Sequence, residues 1–339
     1  MTIPVDVNPA PGGQARLWHH DERGFTALGV WTERVAEHGE DADPLVLYQR
    51  SVGRGMLSVF DGVGGAGRAT AGCTANGRAR TQAWVASRRV RALVEEWFVR
   101  GTGTGLGEHI VGGLSVPSAS RSRVRGTIPR EFPTTLAGLE FLVGDGEVRW
   151  DVLWAGDSRC YVAEPDLGLQ QLSRDDTDSA DALDLLVQDP PMTNMVSAGK
   201  PFALNQRRGA ARLPCTLVCA TDGFFGYVTT PALFEHVLWD ALARSQDVVH
   251  WGAQLVEWVR GYTGDDASLA VVAFGFGDFS ELRSAFRERA TRLRNEHAEP
   301  MSRVEDGDQV GLVAAREHSW RRYRHDYERR LPVVVRESV

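Results

Sequence analysis

Four aspartates stand at the ends of apolar runs beside small residues: Asp61 in SVFDGVGGAG, Asp157 in LWAGDSR, Asp222 in LVCATDGFF and Asp265 in YTGDDASLAVV. In the first three the run ends and the carboxylate follows; Asp265 mirrors this and precedes its run. Each alone is an ordinary turn residue, since Asp and Gly are favoured in turns for their own backbone chemistry. Together they could converge where the loops of a β-sandwich cluster. Converging carboxylates raise one another's pKa unless a divalent cation neutralises them. A donor set of hard oxygens, without histidine or thiolate, suits Mg²⁺ or Mn²⁺ and not Zn²⁺. The glycine after Asp61 lets the backbone come close, so the Gly62 carbonyl is a further candidate ligand.

The elements that must position these residues follow from the hydrophobic pattern. Phe25 to Val30, Pro44 to Tyr48 and Met56 to Phe60 read as short strands. From Ala66 to Val99 the pattern is helical, with Ala71, Ala75, Ala79 and Ala83 at every fourth position. Residues 101–131 are rich in Gly, Ser and Arg and read as a loop. LAGLEFLV, VRWDVLWA and RCYVAE, joined by GDGE and GDS, predict three strands of one antiparallel meander. Asp175 to Gly209 reads as a surface excursion. CTLVCA and SLAVVAF predict two buried strands, with helices near 231–243 and 247–260 between them.

Past Gly277, Phe279, Leu282, Phe286 and Leu293 share one helical face, and Trp320, Tyr323, Tyr327 and Leu331 mark another. From Phe279 onward this tail carries 13 arginines against 11 acidic residues, unlike the acidic remainder. It predicts an amphipathic helical extension that packs on the domain or on a second subunit, with partner recognition as the alternative.

Composition narrows the class. Apolar content of 42% and charged content of 24% in 339 residues are those of a soluble globular chain. A net charge of −7 argues against non-specific nucleic-acid binding. No apolar run approaches ~18 residues and the N-terminus lacks a signal-peptide pattern, so no membrane association and a cytoplasmic location are expected. Cys73, Cys160, Cys215 and Cys219 lack zinc-ligand spacing and read as reduced thiols.

With these motifs in hand, the chain resembles the metal-dependent protein phosphatases of type 2C, which act on phosphoserine and phosphothreonine. The matches run in the family's order over residues 17 to 275: SVFDGVGG, FPTTLAGLEFL, LWAGDSRCYV, QLSRDD, CATDGFF and GDDASLAVV. The resemblance implies an α+β fold, a four-layer sandwich of two antiparallel sheets flanked by helices. The implied organisation is a flexible 1–16, a phosphatase domain over 17–276 and the helical extension over 277–339. It further implies that Asp61 bridges two Mn²⁺ or Mg²⁺ ions, helped by the Gly62 carbonyl, while Asp222 and Asp265 complete one shell. Asp157 matches, with Asp222, the place of a weaker third ion. Glu40 and Asp41 match second-metal ligands, and Arg34 the arginine that grips the substrate phosphate. A hydroxide bridging the metals would attack phosphorus without a phosphoenzyme.

The departures are specific. Arg34 precedes Glu40-Asp41 by two residues more than the family spacing. Val63 stands where many members place a histidine, and valine donates no proton. Asp266 replaces an asparagine, and the second helix expected after Val99 is largely replaced by the Gly/Ser/Arg loop. The expected function is a protein serine/threonine phosphatase. The alternative is a pseudophosphatase that binds a phosphoprotein or partner without turnover.

Overall fold

The computed structural model describes residues 5–7, 14–74, 77–101, 103–114, 131–179, 181–187 and 190–331. The strands are β1 (Val5–Val7), β2 (Ala15–Glu22), β3 (Phe25–Thr32), β4 (Leu45–Gln49), β5 (Arg54–Val59), β6 (Thr70–Cys73), β7 (Ala79–Thr81) and β8 (Leu136–Val143). They continue with β9 (Glu147–Ala155), β10 (Arg159–Glu164), β11 (Gly168–Gln171), β12 (Asn205–Arg212), β13 (Cys215–Ala220) and β14 (Ala267–Phe274). One sheet has the order β1-β2-β3-β14-β13-β10-β11, a second the order β12-β9-β8-β5-β4, and β6 and β7 form a separate hairpin. Every pairing is antiparallel.

Two-residue periodicity explains the layering. In β14, Ala270, Val272 and Phe274 face the second sheet and meet Leu57, Leu139 and Phe141 there. Leu269, Val271 and Ala273 face the opposite way, under helices. Burial on both faces is why SLAVVAF reads as a continuous apolar run. The helices are α1 (Gly64–Gly67), α2 (Gln82–Arg100), α3 (Leu106–Leu114), α4 (Asp222–Phe225), α5 (Pro231–Arg244) and α6 (Val248–Tyr262). Helices α2 and α3 cover the five-stranded sheet through Val90, Val94, Phe98 and Ile110. Helices α5 and α6 cover the seven-stranded sheet through Trp239, Trp251 and Leu255. The result is the expected four-layer α+β sandwich of two antiparallel sheets flanked by helices.

Four local expectations are corrected. The helix read from Ala66 begins only at Gln82, where Thr81 caps it by accepting the Trp84 N–H at 3.1 Å. Ala71 and Ala79 lie on the β6–β7 hairpin, and Ala75 is outside the described residues. The loop read over 101–131 contains α3, whose Ile110 is fully buried; glycine-rich composition hid its apolar stripe. The arginine-rich stretch 115–130 lies outside the described residues, as does most of the N-terminal segment 1–16. The three-strand meander is two strands: β8 pairs with β9, but β10 crosses to the other sheet between β13 and β11. Gly156, at φ +107°, makes that crossing. The excursion after Asp175 ends as an edge strand, β12, paired with β9.

The C-terminal helices are α7 (Phe279–Ala285), α8 (Arg287–Leu293), α9 (Glu299–Ser302) and α10 (Gln309–Tyr327), with a π-helical turn over Arg294–Ala298. They pack on the same chain. Phe279, Leu282, Phe286 and Leu293 are buried, as are Trp320, Tyr323 and Tyr327, all in one core with α5 and α6. Phe286 stacks on Trp239 at 4.0 Å between centroids. Glu235 of α5, fully buried, accepts from Arg289 at 2.7 and 2.9 Å and from the Tyr323 hydroxyl at 2.7 Å. Among the described residues no helix is long and apolar enough to cross a membrane.

His297 lies in this layer, 5% exposed, its Nδ1 2.8 Å from the Ser319 hydroxyl. Burial pushes its pKa down to about 4 from an ordinary value near 6.5. The neutral ring therefore contributes stability that is complete above pH ~6.5 and is lost as the pH falls toward 4, a window worth up to about 3 kcal/mol. Thermal melts between pH 7 and 4.5 should show this acid loss, and His297→Gln should flatten it.

Candidate metal centre

The site forms where central strands of both sheets end. Asp61 follows β5, and its backbone is clamped: its N–H donates to Thr135 Oγ1 at 3.2 Å. Its carbonyl accepts from Thr134 Oγ1 at 2.6 Å and from the Thr135 N–H at 2.8 Å. Thr135 Oγ1 also lies 2.7 Å from Ser158 Oγ. One threonine thus joins the Asp61 turn, from one sheet, to the Asp157 turn that crosses to the other. Asp222 opens α4 directly after β13, and Asp265 immediately precedes Asp266 and β14. Thr221 Oγ1 accepts the Ser268 N–H at 2.9 Å and donates to Asp41 Oδ2 at 2.9 Å.

Electrostatics records how closely these carboxyls lie. Asp41 is 2% exposed; Asp61, Asp157 and Asp222 are partly buried and Asp265 is exposed. Asp61 is pushed well up by its crowded surroundings and then by the charges of Asp41 and Asp157. Asp41 is raised by burial and by Asp266 and shares a side-chain hydrogen bond with Asp61. Asp222 is raised by burial and then by Asp61, Asp157 and Asp265. Asp265 rises through desolvation by the atoms around its carboxyl and through the Asp266 charge, while Arg34 pulls it back down. The sequence-predicted carboxylates therefore share one region, although among the described residues no three His, Cys, Asp or Glu side chains close on a common point as a formed metal shell.

The donors fit a hard divalent cation. They are all oxygens, they repel one another, and they are held by hydroxyls and backbone amides, with no basic side chain bonded to Asp41 or Asp61 among the described residues. Beside Asp61, a Cβ on Gly62 would stand 2.5 Å from the Glu40 carbonyl oxygen. At Gly64 it would stand 2.2 Å from Glu40 Oε2. Glycines at these positions are what let the Glu40 segment lie against the Asp61 turn.

That segment is braced by residues outside the predicted set. Asp266 accepts the Arg34 N–H at 2.8 Å on one oxygen and the Glu40 N–H at 2.6 Å on the other. One carboxylate thus closes both ends of the lengthened loop. The Glu40 carbonyl accepts from Ser87 Oγ at 2.5 Å and from Arg88 at 3.1 Å, and its carboxylate accepts from Thr81. Burial brings Arg88 down to about 10. Arg34 itself is exposed, with its charge acting on Asp265 and Tyr227.

A cleft of about 290 Å³ opens beside these groups, lined by Asp157, Asp222, Asp265, Tyr227 and, from the excursion, Leu186 and Pro190. Tyr227 is pushed up to about 12 by desolvation and by Asp265 and Asp222. Nothing in GFFGYV distinguished Tyr227 from an ordinary surface tyrosine. Asn194 donates to Asp176 at 2.7 Å and to the Ala203 carbonyl at 2.9 Å, tying the excursion to itself.

No family model and no curated protein matches the chain. Solved structures do. The serine/threonine phosphatase PstP of Mycobacterium tuberculosis is 19% identical, over 77% of this chain and 98% of that one, with a TM-score of 0.48. The serine/threonine phosphatase Stp1 of Staphylococcus aureus is 16% identical over 80% and 99%, with a TM-score of 0.49. RsbX, solved in complex with magnesium, is 13% identical over 76% and 99%, at 0.47. Likeness of this degree adds nothing to what the sheets and helices already display.

Asp266→Ala removes two charge-assisted hydrogen bonds from the loop, and a loss of about 1–3 kcal/mol is expected. Amide hydrogen exchange should accelerate at Arg34 and Glu40, with β13 and β14 unchanged. Asp266→Asn, which keeps one acceptor, should show an intermediate change.

Proposed function

We propose that the chain is a metal-dependent protein serine/threonine phosphatase of type 2C. The observation that carries this reading is the crowding of Asp41, Asp61, Asp157, Asp222 and Asp265, each raising its neighbours' pKa, at the end of the sandwich. Such a cluster is costly for the fold unless cations offset it. Asp61, the Gly62 carbonyl, Asp222 and Asp265 would hold Mn²⁺ or Mg²⁺, with Glu40 and Asp41 serving a second ion directly or through water, and Asp157 a third. The bound ions would activate water and offset the charge of an in-line displacement at phosphorus.

The chain's own groups supply the rest. Arg34, at the exposed lip and within electrostatic reach of Asp265, would orient the substrate phosphate by its planar guanidinium. Thr135 and Thr221 hold the ligand-bearing turns in place before substrate arrives. Val63 cannot protonate a leaving alkoxide, so that proton would come from solvent. Cysteine chemistry is unfavourable at three of the four thiols: Cys160, Cys215 and Cys219 are fully buried, and burial pushes Cys215 up to about 12.

Hydrolysis of p-nitrophenyl phosphate and of a phosphothreonine peptide should require Mn²⁺ or Mg²⁺ and stop with chelator. Asp61→Asn and Asp222→Asn should each lower kcat by about 100-fold or more, whereas Arg34→Ala should act chiefly on KM. Folded protein that binds Mn²⁺ and phosphopeptide without turnover would instead support the pseudophosphatase.

A further inference from the structure

The C-terminal helices reach the candidate centre through one buried arginine. Arg159 stands two residues beyond Asp157 and is 2% exposed. Its guanidinium pairs with Asp175 in a fork, Nε to Oδ1 at 2.8 Å and Nη2 to Oδ2 at 2.7 Å. It also lies 4.1 Å from the centroid of Phe225, the last residue of α4, which begins at Asp222. Arg159, Asp175 and Phe225 line the same cleft as Asp157 and Asp222. One cation thereby ties the turn bearing Asp157 to the helix bearing Asp222.

The remaining side of that cation is closed by the tail. Arg159 Nη1 lies 3.4 Å from the hydroxyl of Tyr327, the final residue of α10. Tyr327 is 1% exposed, and its ring lies 6.1 Å from that of Tyr161, 5.7 Å from that of Trp320 and 5.4 Å from that of Tyr323. From the same helix, Arg324 reaches Asp181 at 2.7 Å, just ahead of the cleft-lining Leu185 and Leu186. The attraction between Arg159 and Asp175 acts at side-chain exposures of 2% and 4%. That attraction depends on exclusion of water. With the Tyr327 ring removed, water would reach the Arg159–Asp175 pair and the brace between the two aspartate turns would loosen.

We propose that Tyr327 is a positioning residue for the carboxylate centre: docked on Arg159, it fixes the relation of Asp157 to Asp222 and so the affinity for a divalent cation on that side. This rests on the reading of those carboxylates as metal ligands. Mn²⁺ binding can be followed without substrate, by loss of the electron paramagnetic resonance signal of the free aqua ion on titrating the full-length protein. Tyr327→Ala should weaken the weakest-bound Mn²⁺ by about tenfold, the scale typical of residues that support metal ligands. Tyr327→Phe, which keeps the ring, should stay within about twofold. Leu293→Ala, from the same helical layer but not among the contacts of Arg159, should lower the melting temperature and leave Mn²⁺ affinity unchanged.

Unchanged affinity in Tyr327→Ala would overturn the inference, as would an equal loss in Leu293→Ala. If Tyr327→Ala does not fold, Tyr327→Leu replaces it with the same criteria. Wild-type protein that takes up no Mn²⁺ would overturn the metal reading itself, and the inference with it.

Discussion

Mutual repulsion among carboxylates at the end of the sandwich is the constraint around which much of this chain is arranged. Asp41, Asp61 and Asp222 come from three separated segments, and each is raised by burial and by acidic neighbours. Left to themselves such groups would swing apart into solvent. Here the backbone denies them that freedom. Thr134 and Thr135 clamp the Asp61 turn, Thr221 bonds the Asp41 carboxylate, and Asp266 closes the loop that delivers Glu40. The hydroxyls and amides are neutral, so they fix position without cancelling charge.

The C-terminal layer treats buried charge in the opposite way. Glu235 is fully buried, yet Arg289, Tyr323, Trp239 and the Leu169 N–H satisfy both its oxygens. Asp240, also fully buried, has Arg244 and Arg294 as partners. A satisfied buried pair costs desolvation but breaks expensively, so these links favour one docking of the tail over others. The tail is thus bound by specific polar contacts within a broad aromatic core, and its last helix ends against Arg159, beneath the carboxylate cleft.

Local sequence carried some of this and not the rest, for identifiable reasons. The strand before Asp222 was legible because β13 is buried on both faces and reads as a continuous apolar run. The tail's two apolar faces were legible from helical spacing and are buried as read, except that Leu331 lies past the end of α10 and is only partly buried. Helix α3 was not, because its glycines diluted the apolar stripe of Leu106, Ile110 and Leu114. The Ala71–Ala79 spacing failed because a four-residue recurrence also satisfies alternation by two, and the hairpin took it. The role of Asp266 was invisible as well, since its two donors lie more than 220 residues away.

The sequence by itself determined the donor chemistry: strand-edge aspartates with small neighbours, no histidine or cysteine among them, and a separate amphipathic tail. Residue type and short-range periodicity are local properties, and they suffice for that. Only the tertiary structure decided that β10 leaves its apparent meander for the other sheet, bringing the Asp157 turn against the Asp61 turn. It alone also decided that Tyr327 closes the shell of Arg159 across 168 residues. Both depend on contacts whose partners are distant in the chain, and such contacts are selected by packing and desolvation of the whole core, which no local pattern encodes.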